Sequence, residues 1–265
     1  MTQTADVVLL RDVAVSLARE AGDMALRGRR SGPVTASTKS SSIDMVTEFD
    51  QASERLITEG LSRLRPNDGI VGEEGAQANS SSGIVWHIDP IDGTTNFLFD
   101  IPMWAVSIGA VDEDGPVAGA VYVPALGEMF SAARGCGSTM NETPLQVREN
   151  SSVRDALIAT GFSYDITQRP HHTHRVSTML NHVRDIRRMG AAAIDLCFVA
   201  AGRLDAYFEE NLNSWDLVAG QIIVTEARGV VSDFAGGAVY PQQVLASSSS
   251  FHHHMVSLIA ECERG

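Results

Sequence analysis

Between Trp86 and Phe97 the chain reads Trp-His-Ile-Asp-Pro-Ile-Asp-Gly-Thr-Thr-Asn-Phe, an order that tightly restricts the backbone. Ile84, Val85, Trp86 and Ile88 make a short buried strand, so Asp89 and Asp92 are expected where that strand ends. Pro90 has a fixed φ and Gly93 can enter conformations closed to other residues, which together point to a sharp turn. Two carboxylates on such a turn can converge with the Ile91 carbonyl into an all-oxygen set suited to a hard cation such as Mg²⁺. Gly93, Thr94 and Thr95 read as the first turn of a helix, whose free N–H groups favour an anion. Metal ligands beside an anion nest suggest phosphate chemistry. A plain turn capped by Asp89 also fits these residues.

The chain has 265 residues, enough for one large domain or two small ones with a sizeable core. Its formal net charge of −13 opposes direct binding to nucleic acid, while local cations could still admit a small phosphorylated substrate. Cys136, Cys197 and Cys262 are widely spaced, form no zinc pattern and read as reduced thiols. Without a signal peptide or a long apolar run, the expectation is a soluble cytoplasmic protein with no membrane partner.

Helical spacing of apolar residues runs from Ala5 to about Arg27, followed by a polar loop over 31–43 that carries Lys39. Thr47 opens a second helix, with Asp50 three residues on in the manner of a capping box, and Pro66 ends it. A brief strand, Ile70-Val71, leads to Gly72-Glu73-Glu74-Gly75. Strands over about 104–111, 116–123 and 128–133 look antiparallel, making residues 1–147 an α+β half. Residues 148–265 alternate short strands (157–159, 185–187, 204–209, 229–233, 244–246) with helices (174–183, 191–201, 215–227, 251–262), an α/β half. Taken singly, Lys39 is a solvated loop residue, Asp50 and Asp216 are first-turn acids, and Glu73 lies in a surface turn.

Together these residues form a pattern. Val71-Gly72-Glu73-Glu74, Asp89-Pro90-Ile91-Asp92-Gly93-Thr94-Thr95-Asn96-Phe97 and Trp215-Asp216 before Ala219-Gly220 resemble the signatures of the inositol monophosphatase family. So does Asp44-Met45-Val46-Thr47-Glu48-Phe49-Asp50, with Lys39 at the expected spacing before it. The resemblance runs from the first helix to the last. It implies a layered αβαβα sandwich, usually dimeric, and a Mg²⁺-dependent, Li⁺-sensitive phosphomonoesterase using two to three ions. Glu73, Asp89 and the Ile91 carbonyl would bind a first Mg²⁺, Asp89, Asp92 and Asp216 a second, and Glu73 with water a third. Thr94 and Asp50 would help activate the attacking water, Gly93 and Thr94 N–H groups would hold the phosphate, and Lys39 would organise waters near Glu73. No Ser-His or Cys-His nucleophile pattern is evident, and the implied route is direct attack of a metal-activated water.

The leaving alcohol would meet Glu209, the backbone around Ala192, Asp216 and Ser163. Three departures from the family pattern stand out. Asn213 stands where animal members have histidine, Arg228 replaces the first glycine of Glu-Ala-Gly-Gly, and Asn141-Glu142 replaces Asn-Gly. Gly229 is expected to make the turn that Arg228 disturbs. The expected substrate is myo-inositol 1-phosphate or a similar polyol phosphate; histidinol phosphate, or a binding role in transcription or ribosome assembly, are the alternatives. His171, His172 and His174, like His252–His254, lack the spacing of a metal site, and Cys197 reads as core.

Overall fold

The periodic apolar residues of the first segment form one long helix, α1 (Thr2–Ser31), which buries Leu10, Ala14, Leu17, Ala18 and Ala21. The computed structural model describes residues 2–32, 34, 36–38, 45–163 and 165–263, and the expectation for Lys39 lies outside these described residues. The antiparallel pair β1 (Ala36–Thr38) and β2 (Met45–Thr47) leads into α2 (Glu48–Leu64). Thr47 caps α2 as expected: its hydroxyl accepts the Phe49 N–H (3.2 Å) and Asp50 accepts the Thr47 N–H (2.8 Å).

Eight strands follow: β3 (Gly69–Gly72), β4 (Gln77–Ala78), β5 (Val85–Asp92), β6 (Ala105–Asp112), β7 (Gly115–Val123), β8 (Glu128–Ala133), β9 (Ser138–Met140) and β10 (Thr143–Pro144). They form one sheet in the order β10-β9-β8-β7-β6-β5-β3-β4, with the short helix α3 (Thr94–Leu98) after β5. All neighbours are antiparallel except β3 and β5. The second sheet has the order β12-β11-β13-β15-β14. Its strands are β11 (Leu157–Thr160), β12 (Asp185–Arg187), β13 (Ala206–Glu210), β14 (Gly229–Ser232) and β15 (Gln243–Ser248). The remaining helices are α4 (Arg169–Met179), α5 (Ala192–Ala200), α6 (Ser214–Glu226) and α7 (Ser249–Cys262).

Burial patterns dictate how these pieces stack. α1 and α2 cover one face of the large sheet, where Leu17, Ile57 and Leu61 pack on Trp86, Ile88 and Ile108. Every residue of α5 is buried, as a helix with no polar face must be. It lies with α6 between the two sheets, packed on residues such as Val121, Phe130, Tyr207 and Ala246. α4 and α7 close the outer face of the small sheet through Met179, Phe251, Met255 and Ile259. The result is the expected αβαβα sandwich. Among the described residues, no helix is long and apolar enough to cross a membrane.

One close approach fixes the depth of the middle layer. β6 and β7 place Gly109 opposite Gly119. A Cβ on Gly109 would lie 2.8 Å from the Ala219 N, and one on Gly119 would lie 2.9 Å from its Cα. The bare glycine pair lets the backbone of α6 sit directly on the sheet, which sets the position of the residues in its first turn.

Several local expectations need correction. β5 continues through Asp89 and ends at Asp92, and its pairing with β6 shifts between the two acids. Pro90, lacking an N–H, is tolerated there because the strand bulges. α4 begins five residues before the expected 174 because Pro170 lies in its first turn, where proline starts a helix instead of breaking it. Arg228 itself makes the turn after α6, at φ 67°, while Gly229 is already in β14. In the β9–β10 hairpin, Asn141 and Glu142 both take left-handed φ values, 47° and 69°.

A side chain at such a φ costs more than glycine would. Arg228→Gly and Glu142→Gly are each expected to stabilise the fold by about 0.5–1 kcal/mol, read as a higher denaturant midpoint with unchanged m-value. A lower midpoint for both would show that their side-chain contacts outweigh the backbone strain.

Candidate active site

The bulge in β5 and the first turn of α6 bring three acids together. One carboxylate oxygen from each of Asp89, Asp92 and Asp216 lies within 4.8 Å of the others. Each side chain is aimed by a backbone N–H. Asp89 Oδ1 accepts from Ile91 N (3.0 Å), Asp92 Oδ2 from Ala193 N at the start of α5 (2.7 Å), and Asp216 Oδ2 from Asn213 N (2.7 Å). Ser107 ties α6 to β6 by donating to the Trp215 carbonyl (3.2 Å), and His87 Nδ1 meets Ser214 Oγ at 2.8 Å. Ser53 of α2 donates to the Pro90 carbonyl (3.1 Å), pinning the bulge from the other side.

Glu73 follows β3, and its N–H donates to the Ile88 carbonyl of β5 (3.1 Å). Its charge, with those of Asp92 and Asp216, bears on the Asp89 carboxyl. The loop behind it is held by Glu54, whose carboxylate accepts the N–H groups of Glu74 (2.8 Å) and Ala76 (3.0 Å). Glu54 was not singled out from the sequence, yet a signal was there. It lies four residues after Asp50 on the buried side of α2, where an acid needs a partner.

The electrostatics of this cluster are demanding. Burial pushes Asp89 and Asp92 well above the usual carboxylate range, and the neighbouring acids add to the shift. Asp216 is pushed up to about 6, chiefly by burial. Among the described residues, no lysine, arginine or histidine forms an ion pair with these three. Ionised carboxylates only accept hydrogen bonds, so acids gathered this closely favour a bound proton, or a cation in its place. An all-oxygen set with this deficit of positive charge fits a hard divalent cation.

Beside the cluster, Thr94 opens α3. Its hydroxyl lies 3.1 Å from Asp50 Oδ1 and 3.1 Å from the Ile91 carbonyl, with one proton to give. Asp50 is fully buried, held by the N–H and hydroxyl of Thr47, and pushed up to about 6 by burial. Gly93 takes a left-handed φ of 90° at the start of α3. Asn96 ties α3 to the far wall by donating to the carbonyls of Met103 (2.6 Å) and Met189 (2.8 Å).

Glu73, Asp89, Ile91, Asp92, Gly93, Thr94, Ser163, Ala192, Glu209 and Asp216 all line one cleft, so every described site residue expected from the sequence converges there, with Asp50 behind Thr94. Arg188 also lines it and was not anticipated; it acts electrostatically on Glu209. A larger hollow of about 650 Å³ beside α1 is less suited to chemistry, because its arginines are engaged as Arg65–Asp68 (2.7 Å) and Arg134–Asp112 (2.9 Å). Two of the histidines are buried away from the cluster. His252 lies between Ser232 (2.7 Å) and Ser247 (2.8 Å), and His172 stacks on Phe162 near Glu210.

The raised carboxyls give the metal-free protein a distinctive pH response. A group whose folded pKa exceeds its unfolded value stabilises the fold below the unfolded value, and that contribution is lost as pH rises through the folded one. For Asp50 and Asp216 the window runs from 3.8 to about 6. In the presence of chelator, the unfolding midpoint is therefore expected to fall between about pH 4 and 7, and Asp92→Asn should flatten that fall. A midpoint that rises over this range would contradict the assignment.

The comparisons with known proteins agree with this geometry. The family model described as "Inositol monophosphatase family" matches residues 6–264. The inositol-1-monophosphatase of Mycobacterium bovis is 42% identical over 251 residues, covering 86% of each chain. A Pasteurella multocida protein named Nus factor SuhB is 39% identical over 231 residues, again covering 86% of each. Among solved structures, the extragenic suppressor protein suhB of Bartonella henselae superposes with a TM-score of 0.90 at 33% identity, over 95% of this chain and 98% of that one. Matched along nearly its whole length by sequence and by fold, the chain belongs to the inositol monophosphatase family.

Proposed function

We propose that the protein is a Mg²⁺-dependent phosphomonoesterase that hydrolyses myo-inositol 1-phosphate or a similar small polyol phosphate by direct attack of water. The observation that carries this reading is the meeting of Asp89, Asp92 and Asp216 beside the Thr94–Asp50 pair. Glu73, Asp89 and the Ile91 carbonyl would hold one Mg²⁺, Asp89, Asp92 and Asp216 a second, and Glu73 would lend itself to a third. Bound Mg²⁺ would neutralise the phosphate, lower the pKa of the attacking water and stabilise the departing alkoxide.

This chain's residues supply the remaining steps. The attacking water gives a proton to Thr94 Oγ1 as that oxygen passes its own to Asp50 Oδ1. Asp50, pushed up to about 6, is close to the ideal for a base working near neutrality. The N–H groups of Gly93 and Thr94 hold phosphate oxygens at the mouth of α3. Glu209, Ser163, Asp216 and the backbone at Ala192 receive the alcohol. Phosphoryl transfer depends mainly on placement and charge, which a rigid cluster of this kind supplies. The same reading includes inhibition by Li⁺, a homodimer and a cytoplasmic setting.

Histidinol phosphate is the runner-up substrate. A second reading, a binding partner in transcription or ribosome assembly, is favoured by one finding: a relative covering most of the chain is named Nus factor SuhB. Phosphate release from inositol 1-phosphate, histidinol phosphate, fructose 1,6-bisphosphate and adenosine 3′,5′-bisphosphate, with and without Mg²⁺, separates these readings. Inositol 1-phosphate should be turned over only with Mg²⁺, with kcat/KM falling about 10²–10³-fold in Asp92→Asn and about 10²-fold in Thr94→Ala. Undiminished turnover by Asp92→Asn would sink the metal assignment, and preference for histidinol phosphate would sink the inositol one. Partners retained in a pull-down by Asp92→Asn would establish a role independent of catalysis.

A further inference from the structure

The alcohol side of the cleft contains an acid that is held unusually firmly. Glu209 lies on β13, and two residues earlier on the same strand face is Tyr207, fully buried in the middle layer. The Tyr207 hydroxyl donates to Glu209 Oε2 at 2.6 Å. From the other side the carboxylate rests on the bare backbone of Gly161, at the end of the neighbouring strand β11. A Cβ there would lie 2.0 Å from both carboxylate oxygens. Among the described residues Glu209 has no ion pair, and while the charge of Arg188 reaches it, the direct contacts are those with Tyr207 and Gly161.

We propose that Tyr207 is a positioning residue for substrate selection: it orients Glu209 so that one carboxylate oxygen is presented to a hydroxyl of the leaving group. This rests on reading the cleft as a polyol-phosphate site. A carboxylate only accepts hydrogen bonds, so the device favours alcohols that carry further hydroxyl donors. Oε2 is taken by Tyr207, leaving Oε1 for the ligand. An acceptor already locked in place loses little freedom on binding, and its contribution therefore appears mainly in affinity. The hydrogen bond also favours the ionised form of Glu209, against the burial that raises its pKa. The hydroxyl of Tyr207 is spent on Glu209, on the alcohol side of that reading, so hydrolysis of an ester without hydroxyls should depend on it little.

The test compares wild type, Tyr207→Phe, Glu209→Gln and the double variant on inositol 1-phosphate and on p-nitrophenyl phosphate, together with a crystal structure of Tyr207→Phe. A lost hydrogen bond to a charged group corresponds to about a tenfold change. KM for inositol 1-phosphate should rise about tenfold in Tyr207→Phe with kcat changed less than twofold, and the double variant should be no worse than Glu209→Gln. For Tyr207→Phe both constants for p-nitrophenyl phosphate should stay within about twofold of wild type. In the crystal structure Glu209 should leave its place over Gly161 or occupy several rotamers. The proposal is overturned if Glu209 stays put, or if Tyr207→Phe binds inositol 1-phosphate as well as wild type does. Equal losses on both substrates would also overturn it, by showing a merely structural role. A wild type inactive on both esters would refute the phosphatase reading, and the position of Glu209 in the variant would still decide the role of Tyr207.

Discussion

The mutual repulsion of Asp89, Asp92 and Asp216 is the constraint on which the rest of the structure depends. Three acids with oxygens within 4.8 Å, two of them buried, would separate if their backbones were free to move. They are carried by elements that cannot move apart. β5 is paired on both sides in the large sheet, and α6 is seated on the Gly109–Gly119 pair of the same sheet. The N–H of Ala193 adds a direct bond from α5 to Asp92. Apolar packing of two cores thus holds in place a charge arrangement that favours binding a cation or a proton.

The same architecture divides the work of the cleft. On the phosphatase reading, β5, α2 and α3 would bring the metal-ligand candidates and the Asp50–Thr94 pair to the phosphorus side. β11, β13 and the start of α5 bring Gly161, Glu209 and Ala192 to the opposite wall, which would receive the alcohol. Asp216 comes from α6, the helix sandwiched between the two sheets, and stands where the two sides meet. Changes on one wall would then alter which alcohol is accepted while leaving the chemistry at phosphorus unchanged.

Much of this was legible in the sequence because the signals were local. The spacing of Leu10, Ala14, Leu17 and Ala21 marked α1, and Thr47 with Asp50 marked the start of α2. The bulge was not legible, because Pro90 inside a strand looks like a strand end until the neighbouring strand shows the shifted pairing. The turn at Arg228 was misplaced because glycine preference pointed to Gly229, which tight packing against Val224 keeps in the sheet. Glu54, Tyr207 and Arg188 were missed for a different reason. Glu54 and Tyr207 carry local signals, a buried acid on α2 and a pair two apart on β13. The partners of that acid and that pair, at Glu74, Ala76 and Gly161, lie far off in the chain, and nothing near Arg188 reports its place in the cleft.

The central claim is that the acid cluster exchanges protons for divalent cations. Calorimetric titration of Mg²⁺ into metal-free protein, in buffers of different ionisation enthalpy, counts the protons released on binding. Proton release is expected at pH 6, with less of it at pH 8 and a much weaker binding signal in Asp92→Asn. Mg²⁺ binding at pH 6 with no proton release, or no binding by the wild-type protein at either pH, would contradict it.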